Sequence, residues 1–579
     1  MHSMGVVELF IKVTKAKEYE YIKLVESYRE KGTTKHRVLF NFGRTDLIKN
    51  NESFIRIANK LCEIAGMPYN SPQNKSLLGD CSEATFYNYG YLAYWKLWKD
   101  LGIDSALEYP QHNTNIEYPL SETVFLMAVQ HLLEPRSKLS THFNQNRYFN
   151  MEIISLHTMY RALDVLNKWK EDIEGELFEH NYIRLNKKVD VVFYDVTTIG
   201  FESVIADELR NFGFSKACKF NEVQVVLGMI IDADGMPVGY ELFPGNTFDG
   251  KTMVTALENI AKRFGIDRVI IVADRGLNSK GNLNLIKEAG YGYIMASKIK
   301  CMKKSMQTEI FSNENMTVVN DKSGDEDFRH KTIDYINEFI DENGELHQLP
   351  ENLVITYSPK RANKDRKDRE RLIEKARKLL ESPEKIDASN KRGGKKYIDK
   401  TNPKAAVTWK LAEGKIEQDA KFDGYYGIQT SEKDMSATNV IDAYHTLWKI
   451  EESFRIMKST MEIEPVFHWK PERIHGHFVV CFLAFLMERK MELLLKNEKD
   501  DVISSPQRIQ TALNTMQLAA VTASGEELFI KAKSDPVANK IFKSLKLNLP
   551  ANINTKSELV KLFKLDEKSN AVQMSLLPV

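Results

Sequence analysis

Cysteine is scarce in this chain. Five are scattered over 579 residues (Cys62, Cys81, Cys218, Cys301 and Cys481), with no C-x-x-C and no Cys/His pair at zinc-finger spacing. A disulfide framework or a structural zinc is therefore not expected, and the odd count suits free thiols in a reducing cytosol. Long apolar runs are missing too. The longest, Phe478 to Met487 (FVVCFLAFLM), is about half of the ~18 residues that span a bilayer, and the opening MHSMGVVELFIKVTK has no apolar signal core. Nor does one charge dominate. Eighty-one Lys and Arg face 80 Asp and Glu, leaving +1, so any nucleic-acid footprint must come from local clustering. These absences point to a soluble cytoplasmic protein with no membrane partner. With 42% hydrophobic and 28% charged residues the composition is that of a folded chain, long enough for several domains or for one large domain with insertions.

The first fifty residues alternate apolar and polar positions around a break at Lys31-Gly32-Thr33, which predicts an antiparallel meander, and a helix follows over about 53–65. From Ser82 to about Leu185 apolar residues recur at three and four, as in FYNYGYLAYWKLW and ETVFLMAVQHLL, predicting mostly helix. The texture changes at Val189. VDVVFYDV, VQVVLGMIID and MPVGYELF are short β-branched runs, the last two joined by an Asp234-Gly235 turn. A helix over 250–264, the strand RVIIVAD, a helix over 279–289 and the strand GYIMAS complete a pattern that predicts a mixed sheet with helices on its faces. Between about 298 and 423 regularity weakens and charge clusters. Residues 360–380 carry ten basic and four acidic side chains, followed by KRGGKKYIDK. That basic run is either a solvated helix face or a phosphate-neutralising surface with steep salt dependence. The strand DGYYGIQT then leads to a helix over 437–459 and apolar helices over 471–496, and the last eighty residues look like short helices and loops.

Two carboxylates sit at the ends of apolar strand runs: Asp195 toward the end of VDVVFYDV and Asp274 closing RVIIVAD. Either alone could cap a turn, but strand ends are where α/β sheets build sites. A third lies in YHTLWKIEESFRIMK, where Tyr444, Glu451 and Lys458 recur at seven and seven. On one helix they would share a face, with about 20° of drift per heptad, and Glu451 rather than Glu452 would join them. Asp232 and Asp234 suit the hairpin turn and Asp249 a helix cap. His475 and His477, ahead of an apolar helix, suit helix-start or phosphate-contact roles rather than metal ligation.

The helix resembles the Y-x2-R-x3-E-x6-K signature of bacterial transposases of the insertion-sequence-four superfamily. The order Asp195, Asp274, Glu451, at spacings of 79 and 177, is similar to their DDE triad, whose long second gap holds an insertion. FYDVTT and ADRG resemble the first two motifs of the branch called insertion-sequence sixteen-thirty-four. The likeness runs from about Val189 to Phe485 and touches the N-terminal meander. It departs at Leu447, where the signature has a phosphate-contacting Arg; Arg455 and Arg275 could supply that charge. Trp448 stands where hairpin-forming relatives carry a Trp that handles an unstacked base, and core packing suits it equally.

The resemblance implies an RNase H-like mixed-sheet catalytic domain (186–298 and 423–500) with an inserted basic subdomain (299–422). An α+β DNA-binding region (1–185) would precede it and a helical tail (501–579) follow. It implies double-stranded DNA as substrate, both terminal inverted repeats and target, and a homodimer at synapsis. The chemistry agrees with it. Phosphoryl transfer on DNA uses two Mg²⁺ about 3.5–4 Å apart, for which three hard carboxylates are an appropriate set and Mn²⁺ a substitute. Lys458 would hold a phosphate as a point charge and Tyr444 by a hydrogen bond. A non-catalytic DNA-binding descendant and a nuclease of the same fold are the alternatives.

Overall fold

The computed structural model describes residues 8–564 except 17, 31–32, 49–50, 66–84, 113, 214–220, 266–268, 321–325, 341–343, 387–392, 401–408, 497–503 and 524–525. The chain forms two compact units: Met1–Lys187 with Ile199–Val204 and Phe454–Val579, and Lys188–Thr198 with Ile205–Ser453.

In the first unit β1 (Glu8–Ala16), β2 (Tyr19–Glu30) and β3 (Thr33–Arg44) form the antiparallel meander that the alternation predicts; Lys31 and Gly32 lie outside the described residues. Then come α1 (Thr45–Ile48) and α2 (Glu52–Ile64). The next block departs from its helical period at once, because Thr85–Asn88 is a strand, β4. Helices α3 (Leu92–Asp100), α4 (Ile103–Gln111), α5 (Leu120–Leu133), α6 (Lys138–Asn144) and α7 (Leu156–Phe178) follow.

The partner of β4 comes from the other end of the chain. β16 (Gln517–Ala523), β17 (Glu526–Lys531) and β18 (Ile553–Thr555) form a sheet of order β18-β17-β16-β4, so the expected helical tail contains strands as well as helices. Its helices are α16 (Pro506–Asn514), α17 (Pro536–Ser544) and α18 (Lys556–Phe563). The apolar run at 478–487 belongs to α15 (Pro471–Lys496) and is buried throughout, as expected of a helix that is hydrophobic all round. Gly476 lets it close on α7, since a Cβ there would lie 2.0 Å from the Leu163 carbonyl oxygen. Among the described residues no helix is long and apolar enough to cross a membrane.

The second unit is built on a nine-stranded mixed sheet. Its first strands are β5 (Val191–Gly200), β6 (Gln224–Asp232) and β7 (Pro237–Pro244). Asp232 acts as expected in the β6–β7 turn, its Oδ1 accepting from the Asp234 and Met236 amides at 2.9 Å. Next are α8 (Asp249–Phe264), β8 (Ile270–Ala273), α9 (Lys280–Glu288) and β9 (Gly292–Ala296). The N-cap of α8 is Phe248, not Asp249.

β5, β8 and β9 run parallel, and β6–β7 is an antiparallel hairpin. The stretch after 298 is more regular than its composition suggests. After α10 (Lys304–Phe311), β10 (Thr317–Asn320), β11 (Glu326–Ile340) and β12 (Leu346–Tyr357) extend the sheet antiparallel. The basic segment is α11 (Pro359–Leu380), with β13 (Ile398–Lys400), β14 (Trp409–Leu411) and α12 (Glu413–Ala420) beside it. β15 (Tyr425–Thr430) inserts between β12 and β9, so the sheet order is β10-β11-β12-β15-β9-β8-β5-β6-β7. The helix expected over 437–459 is two, α13 (Ala437–His445) and α14 (Trp448–Ser459).

Candidate active site

The parallel register of β5 and β8 carries the site. Its last pair is Tyr194 with Ala273, so Asp195 and Asp274 are each the next residue on neighbouring strands about 4.8 Å apart. Asp195 is not at a strand end, because β5 runs on to Gly200; it lies where β8 stops and β5 continues. Asp274 opens a turn in which the Leu277 amide donates to the Asp274 carbonyl at 3.1 Å. Asn278 pins that turn to the sheet, its Nδ2 donating to Ala296 O at 2.7 Å and to Gln429 Oε1 at 3.0 Å, while Lys298 Nζ donates to Asn278 O at 2.6 Å. Asp274 and Arg275 are exposed and Asp195 half-buried.

Tyr444 reaches this pair from α13. Its hydroxyl donates to Asp274 Oδ1 at 3.3 Å and lies 2.7 Å from the Tyr426 hydroxyl. Burial, then Tyr426 and Asp274, push the Tyr444 phenol well above its ordinary range, so it stays protonated and can donate. It does not share a straight helix with Glu451. Thr446 Oγ1 bonds back to Asp442 O at 2.9 Å, and Lys449 and Ile450 bond to residues three back, which closes α13 and opens α14. Glu451 is exposed in the first turn of α14, two residues beyond Lys449, whose Nζ donates to Ala233 O at 2.6 Å in the β6–β7 turn.

Leu447 is buried at 6% exposure and Trp448 is 50% exposed. Leu447 is thus a core residue, and Trp448 does not fill a core. Arg455 is exposed further along α14; Lys458 is half-buried, 3.8 Å from Glu464. His477 is buried within α15, which rules out the expected phosphate contact, and His475 is partly buried.

Two groups escaped the sequence reading. Arg361 of α11 lies 4.4 Å from the ring centre of Tyr426, with Arg275 5.8 Å from the same ring. The only signal was their membership of the basic run and of DGYYGIQT. Gly424, at φ 83°, lets α11 approach: a Cβ there would meet Ala362 at 2.8 Å, and the Gly424 amide donates to Asp365 Oδ2 at 3.1 Å. A cavity of about 520 Å³ beside Tyr426 is lined by Arg275, Lys298, Arg361, Arg369 and Lys396. Part of its charge is matched, Arg369 by Asp423 and Lys396 by Asp419. Although burial opposes it, hydrogen bonds from Lys396, Lys300 and Tyr397 hold the Asp419 carboxyl down at about 2.

Asp195, Asp274 and Glu451 offer hard oxygens suited to Mg²⁺-like cations. The three are not gathered within 4.8 Å of one another as ligands of a single ion would be; two ions about 3.5–4 Å apart ask for a wider spread.

Residues 187–487, just over half of the chain, match the family model described as Transposase DDE domain. The chain belongs to the DDE transposases, enzymes that bind DNA, cleave it and transfer strands with divalent metal ions. Residues 11–67 match the N-terminal domain of IS1634 family transposases, which makes this an insertion-sequence transposase of the IS1634 branch. No curated protein matches the chain. Among solved structures it is similar to a piggyBac transposase synaptic complex with hairpin DNA at 8% identity and a TM-score of 0.36, over 86% of this chain and 88% of that one. A likeness of that degree carries no mechanistic weight.

Proposed function

We propose that Asp195, Asp274 and Glu451 are the catalytic carboxylates of an RNase H-like domain, and that with two Mg²⁺, or Mn²⁺ in their place, this transposase cuts at the terminal inverted repeats of its element. The observation that carries this is the register that ends in Tyr194 and Ala273 and leaves two carboxylates adjacent. The hairpin on one side of β5 and the parallel strands on the other support the RNase H-like reading.

Bound ions supply activation of the attacking oxygen and stabilisation of the leaving one in an in-line displacement. The chain does the rest. Asp195 presents its oxygens from β5 and Asp274 from the pinned turn after β8, and Tyr444 fixes Oδ1 of Asp274. Arg275 and Arg361 offer guanidinium groups to phosphate oxygens, with Lys458 and Arg455 further along α14. Trp448 presents an exposed ring to an unstacked base. Water attacks phosphorus, the bond to O3′ breaks and that oxygen takes up a proton; the released 3′-hydroxyl then attacks a target phosphate, a new P–O3′ bond forming as the target's own P–O3′ bond breaks, and the proton it loses passes through solvent to the departing target 3′-oxygen.

Residues 1–185 recognise the element ends, 186–298 with 423–500 form the catalytic domain, and 299–422 lie as an inserted basic subdomain near the transposon end. Residues 501–579 form the C-terminal region. Synapsis is by a homodimer, on DNA in the cytoplasm. Asp195→Asn, Asp274→Asn and Glu451→Gln should each cut Mg²⁺-dependent cleavage by on the order of 10³-fold or more, as for groups that act as a unit. Gel-shift affinity for end DNA should stay within a few-fold of wild type. Near-normal cleavage by any variant removes that residue from the triad.

A further inference from the structure

A second set of metal-type ligands lies in the first unit, on two helices. His477 and Cys481 are one turn apart on α15, and His131 faces them from α5. All three are buried, and one ligand atom from each lies within 4.8 Å of the others, the single such group of three among the described residues. The Cys481 Sγ is 3.5 Å from His477 Nε2. With Zn–N about 2.0–2.1 Å and Zn–S about 2.3 Å, the N···S edge of a zinc tetrahedron is about 3.6 Å. We propose that His131, His477 and Cys481 bind a borderline-soft divalent cation of the zinc class, which fastens α5 to α15.

The hydrogen bonds around the cluster orient its donors. His131 Nδ1 lies 3.1 Å from the Met461 carbonyl oxygen, which can only accept. The proton therefore sits on Nδ1 and the Nε2 lone pair is left for a cation. His477 is likewise bonded to the Ile463 carbonyl. A carbonyl fixing the other ring nitrogen, as at His131, is the outer arrangement that metal-bound imidazoles use.

What occupies the His131 lone pair is itself a cation. Lys138 Nζ donates to Nε2 at 3.2 Å, and among the described residues no carboxylate pairs with this buried ammonium. A buried cation without an anion is costly. An ion at Nε2 displaces that ammonium and turns the Cys481 thiol into a thiolate, which supplies the missing negative charge while the proton leaves to solvent. The N₂S set selects against Mg²⁺ and for zinc-like ions, so this site is chemically distinct from the carboxylates of the second unit. The local sequence hid it, because His131 is 346 residues from His477.

The test uses the untagged full-length chain with Co²⁺ as probe. One equivalent should bind with a thiolate-to-cobalt charge-transfer band and tetrahedral d–d bands, and Zn²⁺ should displace it mole for mole. Cys481→Ser should lose the charge-transfer band, whereas Cys62→Ser and Cys301→Ser should keep it. Asp195→Asn should also keep it, which separates this site from the proposed catalytic one. If Cys481→Ser fails to fold, the wild-type band and the two control variants still decide. Absence of the band in wild type at stoichiometric Co²⁺, its loss in either control cysteine variant, or its persistence in folded Cys481→Ser overturns the proposal.

Discussion

Asp195 within β5 and Asp274 just after β8, on the one hand, and the interior between α5 and α15, on the other, hold ligand-type side chains under opposite conditions. Around Asp274 the carboxylate is exposed, its turn is pinned by Asn278, and its neighbours are guanidinium groups and phenols. Around His477 the donors are imidazole and thiol, fully enclosed. Solvent access and donor hardness together divide the labour. Exposed oxygens can exchange hydrated cations and meet a DNA phosphate, while enclosed nitrogen and sulfur can only hold an ion that stays.

The contrast between wet end and dry core breaks first if the core accepts charge. Leu447→Arg would restore the family's signature residue, yet this site is buried. A guanidinium there must displace packed side chains and lose its hydration, so we expect a loss on the order of 4 kcal/mol in denaturant unfolding. It should not rescue Arg455→Ala. An unchanged midpoint would return Leu447 to the surface.

A buried carboxylate in the second unit sharpens the contrast. Burial, against hydrogen bonds from Tyr293, Asn337 and Gln429, pushes the Glu351 carboxyl up to about 7 from an ordinary 4.5. Between those values the folded protein holds a proton that the unfolded chain has lost. Stability is therefore full below about 4.5, falls as pH rises through the window and levels off above 7. Glu351→Gln should match wild type near pH 4.5 and exceed it at pH 8 by up to about 3 kcal/mol, read from unfolding curves at the two pH values. Equal stability at pH 8 would mean that the carboxyl is not held protonated.

Smaller effects belong to the wet end. Tyr444→Phe removes one hydrogen bond to Asp274 and should slow cleavage about tenfold, the worth of about 1–1.5 kcal/mol, with end binding unchanged. Arg361→Ala should weaken DNA binding a few-fold and reduce the salt slope of log K by about one, the signature of a single phosphate contact. A slope identical to wild type would confine Arg361 to its contact with Tyr426.

Much of the second unit was legible because its signals are local. The apolar runs that carry Asp195 and lead to Asp274 and the Asp234-Gly235 hairpin follow from neighbours in sequence. Pairings across long separations were not. FYN beside a helix carries the helical apolar period, and only its pairing with Gln517–Ala519 makes it a strand. The seven-residue spacing of Tyr444 and Glu451 assumed one helix, and the back-bond from Thr446 ends it between them. Arg361 and Tyr426 meet because β15 inserts beside β12, which places the start of α11 next to its neighbour strand. No local pattern records that insertion.

The central claim is that Asp195, Asp274 and Glu451 serve one metal centre. Fe²⁺ in place of Mg²⁺, with ascorbate and peroxide, releases hydroxyl radicals that cut the backbone nearest the bound ion. Mapping the fragments of the full chain on end DNA should give cuts close to residues 195, 274 and 451, all suppressed together by excess Mg²⁺. Cuts at two of these without the third, or clusters elsewhere that Mg²⁺ suppresses, would contradict the account.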